Sequence, residues 1–238
     1  MKRREFMSII ALSSLMSGRA LADSVFSPLS GGSKQAILLD DSNNPFATSQ
    51  SMIAKFARLG DWGYNDNPTR IWLNFKNRKI PVFLYLPARK NGNVVPFIFS
   101  HQEFDAPQSY DIFFKHMSSH GFLVMAPIHP DSSLYPNSID DNLNVVNLKN
   151  LSVEDILVSP DIANKRANDI IACANAIEPI QNKTGIMFEK TVMLGGHRIG
   201  ADIVALCSGA SSPLVSKQAP EGFAGSILIS PHGHAFQM

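Results

Sequence analysis

The residues with the clearest chemical spacing are Lys190 to Ala201, which read Lys-Thr-Val-Met-Leu-Gly-Gly-His-Arg-Ile-Gly-Ala. An apolar strand pattern (Thr191 to Leu194) runs through glycines into a helix pattern (Ile199 to Gly209). A strand, a sharp turn and a helix in that order lift one side chain clear of the backbone and aim helix N–H groups at the same point. A serine placed there would be a nucleophile for acyl transfer. Here the turn reads Gly196-His197-Arg198-Ile199-Gly200, and its tip is Arg198. A guanidinium stays protonated at physiological pH and has no lone pair to donate. His197 precedes the tip and Ser208 lies more than two turns into the helix, so neither takes over. An arginine at a helix N-terminus can instead hold a carboxylate or phosphate.

Other residues compete for attention. The Gly195 to Gly200 run lacks the spacing of a dinucleotide loop and has no acidic residue at a strand end some 20 residues on. His101, His129 and Asp131 fall at strand ends, where α/β sheets place ligands, but without metal-ligand spacing; they read as loop polarity. Arg166 and Asp169, three apart in a helix pattern, read as a solvated surface pair. His232 and His234 follow the last strand pattern and read as a polar loop. Cys173 and Cys207 both fall in helix patterns and are expected as buried free thiols, although an exported chain could pair them.

The elements that must position these residues alternate. Arg70 to Phe75 and Ile80 to Leu86 read as strands joined by a turn at Asn77-Arg78. Val94 to Ser100 and Phe122 to Ala126 are apolar runs of the kind buried on both faces of a sheet. Gln108 to His120 and Asp161 to Ala176 carry apolar residues at helical spacing, and a last strand spans Gly225 to Ser230. Short helices are expected at Ser51 to Leu59 and near Val153 to Leu157, and a Ser/Pro-rich loop over Ser211 to Gly222. The pattern predicts a mostly parallel sheet covered by helices on both faces.

Three blocks make the chain resemble the α/β-hydrolase superfamily, in its dienelactone-hydrolase and platelet-activating-factor-acetylhydrolase-like branch. They are Arg78 to Pro87, Pro96 to His101 followed by Ser119 to Pro130, and Gly196 to Gly200, in the family's order and spacing. The resemblance covers roughly Arg70 to Pro231. It implies an α/β-hydrolase fold and hydrolysis of a carboxylic ester by serine, acid and histidine in that chain order, with two backbone N–H groups on the oxyanion. Carried over by position, Arg198 stands where the serine belongs, and Gln102 and Ile199 hold the oxyanion positions. Glu103 brings a carboxylate to a place where negative charge would develop. The family's sheet continues for two more strands, which carry the acid and the histidine; here no acidic residue lies between Gly222 and Met238. No intact catalytic set is therefore expected, and serine restoration alone is not expected to revive one.

The 238 residues are 45% hydrophobic with a net charge of +1, which fits one domain with a sizeable core and gives no argument for nucleic acid. Met1 to Ala22 has the basic start, apolar middle and Ala20-Leu21-Ala22 ending of a signal peptide. Arg3-Arg4-Glu5-Phe6-Met7 resembles the twin-arginine export motif. The apolar run is too short to span a bilayer, and no cysteine near the cleavage point offers a lipid anchor. These features predict a periplasmic or secreted chain, with residues 23–238 as one α/β-hydrolase-like domain that is incomplete at its C-terminus and needs no cofactor or metal. Two functions are expected: a catalytically degenerate relative of ester hydrolases, or a binding module for a small ester or anion using His101, Gln102, His197 and Arg198. Gly225 to Ser230 has no charge and, as an edge strand, would invite self-association.

Overall fold

The computed structural model describes residues 57–89, 92–135, 159–210 and 220–232. The chain divides into two compact units, residues 1–59 and 60–238, and the architecture below is that of the second. The expected signal peptide, the helix near Val153 to Leu157, His234 and nearly all of the helix over Ser51 to Leu59 and the loop over Ser211 to Gly222 lie outside the described residues.

Among the described residues six strands form one sheet: β1 Thr69–Phe75, β2 Arg78–Tyr85, β3 Val95–Ser100, β4 Phe122–Pro127, β5 Val192–His197 and β6 Phe223–Ile229. Their spatial order is β1-β2-β4-β3-β5-β6, and only β2 runs against the rest. With helices packed between these strands in sequence, this is an α/β-hydrolase fold. From β3 the chain steps outward to β4 and then crosses back to β5 on the other side of β3. The crevice beyond the carboxyl ends of β3 and β5 is thus the switch point at which open α/β sheets bind ligands.

The helices are α1 Asp111–Ser119, α2 Pro160–Asn175, α3 Ile177–Thr184 and α4 Ile199–Cys207. The helix expected over Gln108 to His120 is a 3₁₀ turn, Pro107–Tyr110, followed by α1. α2 starts at Ser159, whose hydroxyl accepts the Ile162 N–H, with Pro160 in the first position, where no N–H is needed. α3 was not anticipated. Its Pro179 falls in the first turn, where a missing N–H breaks no helical bond, and the helix ends on Gly185 at φ 67°.

β3 and β4 are buried at every residue, as their apolar runs require. One side of the sheet packs Ile80, Val82, Ile98, Leu123, Met125 and Leu194 against α2 and α4. Phe97, Phe99, Tyr110, Phe113 and Phe114 form a ring cluster with α1. Cys173 and Cys207 are both buried free thiols. Among the described residues no helix is long and apolar enough to cross a membrane.

Candidate active-site elbow

β5 delivers His197, the chain turns at Arg198 with φ 53° and ψ −121°, and α4 begins at Ile199. That backbone region costs a non-glycine residue about 1–3 kcal/mol, so its surroundings must impose it. The Arg198 N–H donates to the Ile229 carbonyl at 2.9 Å, and the Arg198 carbonyl accepts from Ala201 and Asp202 at 2.9 and 3.1 Å. A Cβ on Gly196 would collide with the Gly200 backbone, and a Cβ on Gly200 with the Ser100 carbonyl. Both glycines are therefore required by close approach of strand, helix and β3. Arg198 stands at the tip of a fully formed elbow.

Its guanidinium is not free. Arg198 Nε donates to Glu103 Oε1 at 2.6 Å; the arginine side chain is 43% exposed and the glutamate 6%. The carboxylate expected to repel developing negative charge is instead bound to the cation at the tip.

Of the two candidate oxyanion donors, the Gln102 N–H donates to the Tyr110 hydroxyl at 3.2 Å, and that hydroxyl lies 2.8 Å from His197 Nδ1. The hydroxyl accepts the Gln102 N–H, and its own proton can go to His197 Nδ1 when that ring carries its proton on Nε2. Burial lowers the His197 pKa, helped by Arg198, and raises that of Tyr110. The Gln102 side chain donates to Asp105 Oδ2 at 2.8 Å. Ile199, the other oxyanion position, is buried in the first turn of α4. His101 is fully buried and does not line the tip. Its Nδ1 donates to the Gln102 carbonyl at 2.7 Å and its Nε2 accepts the His129 N–H at 3.2 Å. Burial, with the neighbouring His129 and Arg166 adding to it, holds its pKa well below the ordinary histidine value.

The loop carrying these residues is clamped from below, and here two sequence expectations are corrected. Arg166 and Asp169 are not a solvated pair: both side chains are fully buried and bind other partners. Arg166 Nε and Nη2 grip Asp131 at 2.8 and 2.5 Å, while Nη1 and Nη2 donate to the carbonyls of His101 and Gln102 at 2.7 and 3.2 Å. Burial alone would raise the Asp131 carboxyl, but the paired Arg166 brings it down to about 2. His129 and Asp131 are likewise buried network members rather than loop polarity.

The same network contains hydroxyl, imidazole and carboxylate in the order of a hydrolytic triad. Ser100 Oγ lies 2.8 Å from His129 Nε2, and His129 Nδ1 lies 2.9 Å from Asp169 Oδ2. All three residues are fully buried, and Arg166 Nη1 also approaches Ser100 Oγ at 3.4 Å. No ester carbonyl can reach that hydroxyl. The relay joins the ends of β3 and β4 to α2 as structure. Burial raises Asp169 to about 7 and holds His129 well below its usual value.

The last correction concerns His232, which the sequence places in a polar loop with its ring in water. His232, just past β6, gives its N–H to Asp202 Oδ1 at 3.1 Å, and its Nδ1 lies 3.0 Å from Asp202 Oδ2. Asp202 sits in the first turn of α4, and His232 Nε2 lies 3.9 Å from Glu103 Oε1. Asp202 went unnoticed in the sequence, yet it is a lone acid in the apolar run Ile-Gly-Ala-Asp-Ile-Val-Ala-Leu-Cys, one turn beyond the tip. A buried charge in such a helix needs a partner, and that was the available signal. Among the described residues no group of three or more His, Cys, Asp or Glu is arranged to hold a metal ion.

No family model matches the chain. No curated protein sequence matches it either. Among solved structures it is similar to a bacterial heroin esterase, at 14% identity and a TM-score of 0.41, over 64% of this chain and 41% of that one. It is also similar to an acylaminoacyl peptidase of Pyrococcus horikoshii, at 14% identity and a TM-score of 0.41, over 68% and 24%. A Pyrobaculum calidifontis esterase matches at 10% identity and a TM-score of 0.41, over 59% and 38%. The chain spans less than half the length of each of these structures.

Proposed function

We propose that this chain is a hydrolase-fold protein, related to carboxylic-ester hydrolases, whose elbow has lost serine catalysis. The observation that carries the reading is Arg198 at the strained tip, ion-paired to the buried Glu103. A nucleophile is needed at that point, and a guanidinium is not one. Glu103 adds a second obstacle: it places a carboxylate beside the loop that would stabilise an oxyanion, and the Gln102 N–H is already given to Tyr110.

The alternative of an anion held by Arg198 at the α4 N-terminus is weaker. The charge that would attract the anion is already balanced by Glu103 at 2.6 Å. The assay is hydrolysis of a short-chain aryl ester by the purified chain. Turnover no faster than that of the Arg198→Ala variant is the expected result; enzyme-dependent turnover with saturation kinetics would overturn the reading.

Two further parts of the proposal rest on sequence. The N-terminal pattern supports export with cleavage after Ala22; N-terminal sequencing of the chain recovered from a periplasmic fraction tests it, and an uncleaved Met1 there would count against it. β6 borders the described sheet, carries no charge and exposes Leu228, which supports edge pairing between copies. Sedimentation showing a monomer at all concentrations would refute that pairing.

A further inference from the structure

Asp131, Arg166, His101, Ser100, His129 and Asp169 meet beneath the loop that leaves β3, and all are buried. They differ in their room for a proton. Asp131 is held by two nitrogens of Arg166. His101 gives Nδ1–H to the Gln102 carbonyl and spends Nε2 on the His129 N–H. A proton added to either would displace a donor already bonded there. Asp169 is less well served. Its Oδ2 faces His129 Nδ1 at 2.9 Å, while Oδ1 lies 3.0 Å from Arg78 Nη1 without a hydrogen bond. A fully buried carboxylate that receives a single hydrogen bond is poorly compensated for its charge.

The hydrogen bonds around it have a direction. With Asp169 ionised, the carboxylate only accepts, so His129 carries its proton on Nδ1 and keeps a lone pair on Nε2. Ser100 Oγ, 2.8 Å away, gives its proton to that lone pair. Arg166 Nη1 approaches the same Oγ at 3.4 Å and donates to the His101 carbonyl at 2.7 Å, while Nη2 donates to the Gln102 carbonyl at 3.2 Å. The next residue, Glu103, holds Arg198. The chain of contacts thus runs from α2 to the elbow tip.

One added proton reverses that direction without breaking the chain. The Asp169 carboxyl O–H then donates to Nδ1, the ring proton sits on Nε2, and Nε2–H donates to Ser100 Oγ. The ring is neutral in both states. The hydroxyl becomes an acceptor and turns its own proton off the ring. Its oxygen then takes donors from both His129 and Arg166, so Arg166 must adjust, and Arg166 holds the two loop carbonyls.

We propose that Asp169, His129 and Ser100 form a proton switch: uptake of one proton by the Asp169–His129 couple exchanges the tautomers of the His129 ring and, through Ser100 and Arg166, resets the loop of residues 101–103. The surrounding groups place it in the neutral range. Burial favours the neutral Asp169 carboxyl, Arg78 from β2 and Arg166 from α2 oppose this, and Asp131 from the loop after β4 adds to it, leaving Asp169 at about 7. His129 is held well below its usual value by burial, with Arg166 and Arg78 adding to it, so imidazolium is not the form that stores the proton. His101 is held down in the same way. Cys173, on α2, is pushed up by burial and by Asp169 and stays a neutral thiol. Tyr135 bears on Arg78 rather than on the couple.

The test is nitrogen-15 NMR of the full, unmodified chain titrated across neutrality. The His129 signals should exchange character, with the proton on Nδ1 on the alkaline side and on Nε2 on the acid side, and never on both. The amides of Gln102 and Glu103 should shift with the same midpoint. Asp169→Asn cannot ionise, and its amide N–H replaces the carboxyl proton as donor to Nδ1. That variant should hold the Nε2–H form at every pH, and its loop amides should lose their shift. Ser100→Ala should still exchange tautomers, with a displaced midpoint, but lose the loop response; a residue that only fills space would not separate the two. A single ring form throughout, an imidazolium on the acid side, or a loop response that survives Ser100→Ala overturns the proposal. If a variant does not fold, the unmodified chain decides: tautomer exchange and loop shift with one midpoint support the switch, and the absence of either overturns it. No readout uses turnover, so failure here leaves the reading of the elbow untouched.

Discussion

Arg198 Nε and Glu103 Oε1 lie 2.6 Å apart, joining the tip of the β5–α4 turn to the loop that leaves β3. The glutamate is nearly inaccessible and the arginine is half in water. Each side of the pair therefore costs differently to remove. Arg198→Ala leaves a buried carboxylate facing an unpartnered imidazole nitrogen, whereas Arg198→Ala/Glu103→Gln removes both charges. Chemical denaturation should show the single variant less stable than the double by about 1–3 kcal/mol, the cost of an unpaired buried acceptor. Equal stabilities would mean the carboxylate finds water on its own.

Backbone strain at the tip is measurable in the same background. Residue 198 holds φ 53° and ψ −121°, a region glycine tolerates and alanine does not. Arg198→Gly/Glu103→Gln should therefore be more stable than Arg198→Ala/Glu103→Gln by about 1 kcal/mol, even though glycine usually lowers stability through the unfolded chain. The reverse order would show that the turn relaxes once the arginine is gone.

Arg166 is the bolt beneath the loop. It is fully buried, bidentate on Asp131, and donates to two carbonyls of residues 101 and 102. Arg166→Met should destabilise the chain by about 3–5 kcal/mol by stranding Asp131. Arg166→Met/Asp131→Asn should recover part of that loss. Paired melts of the two variants test this; a single variant no worse than the double would refute the ion-pair account.

The same pair gives a pH signature. Asp131 titrates at about 2 in the folded chain, below its usual value, because Arg166 outweighs the effect of burial. The folded state thus binds fewer protons here than the unfolded one between about pH 4 and pH 2. The stabilisation is fully present above about pH 4 and is lost as pH falls toward 2. Asp131→Asn should lower stability at neutral pH and flatten its decline across that window. An unchanged acid slope in the variant would assign acid unfolding to other carboxyls.

Much of the frame is legible from residue order. The apolar runs Val94 to Ser100 and Phe122 to Ala126 read as strands buried on both faces, within a residue of the observed β3 and β4, and the Gly-x-x-x-Gly spacing around Arg198 marks the turn. Side-chain partners were not, for identifiable reasons. Arg166 lies four residues after Ile162 and four before Ile170, so α2 puts it on its apolar face. Charge alone made it look like a surface residue. The spacing of Arg166 and Asp169 suggested a pair, but strand order brings Asp131 and Arg78 to them from distant segments. Asp202 and His232 meet because β5 and β6 are adjacent, a fact of sheet order that local pattern does not contain. α3 is eight residues long and buries only Ile180, so it offers almost no apolar periodicity to read.

The most direct measurement is exposure of the purified, unmodified chain to a fluorophosphonate, followed by intact-mass and peptide analysis. No covalent adduct is expected: position 198 offers no hydroxyl, and Ser100, though it stands in series with His129 and Asp169, is sealed from reagent. Stoichiometric modification of any serine, threonine or tyrosine would contradict the loss of serine catalysis at the elbow.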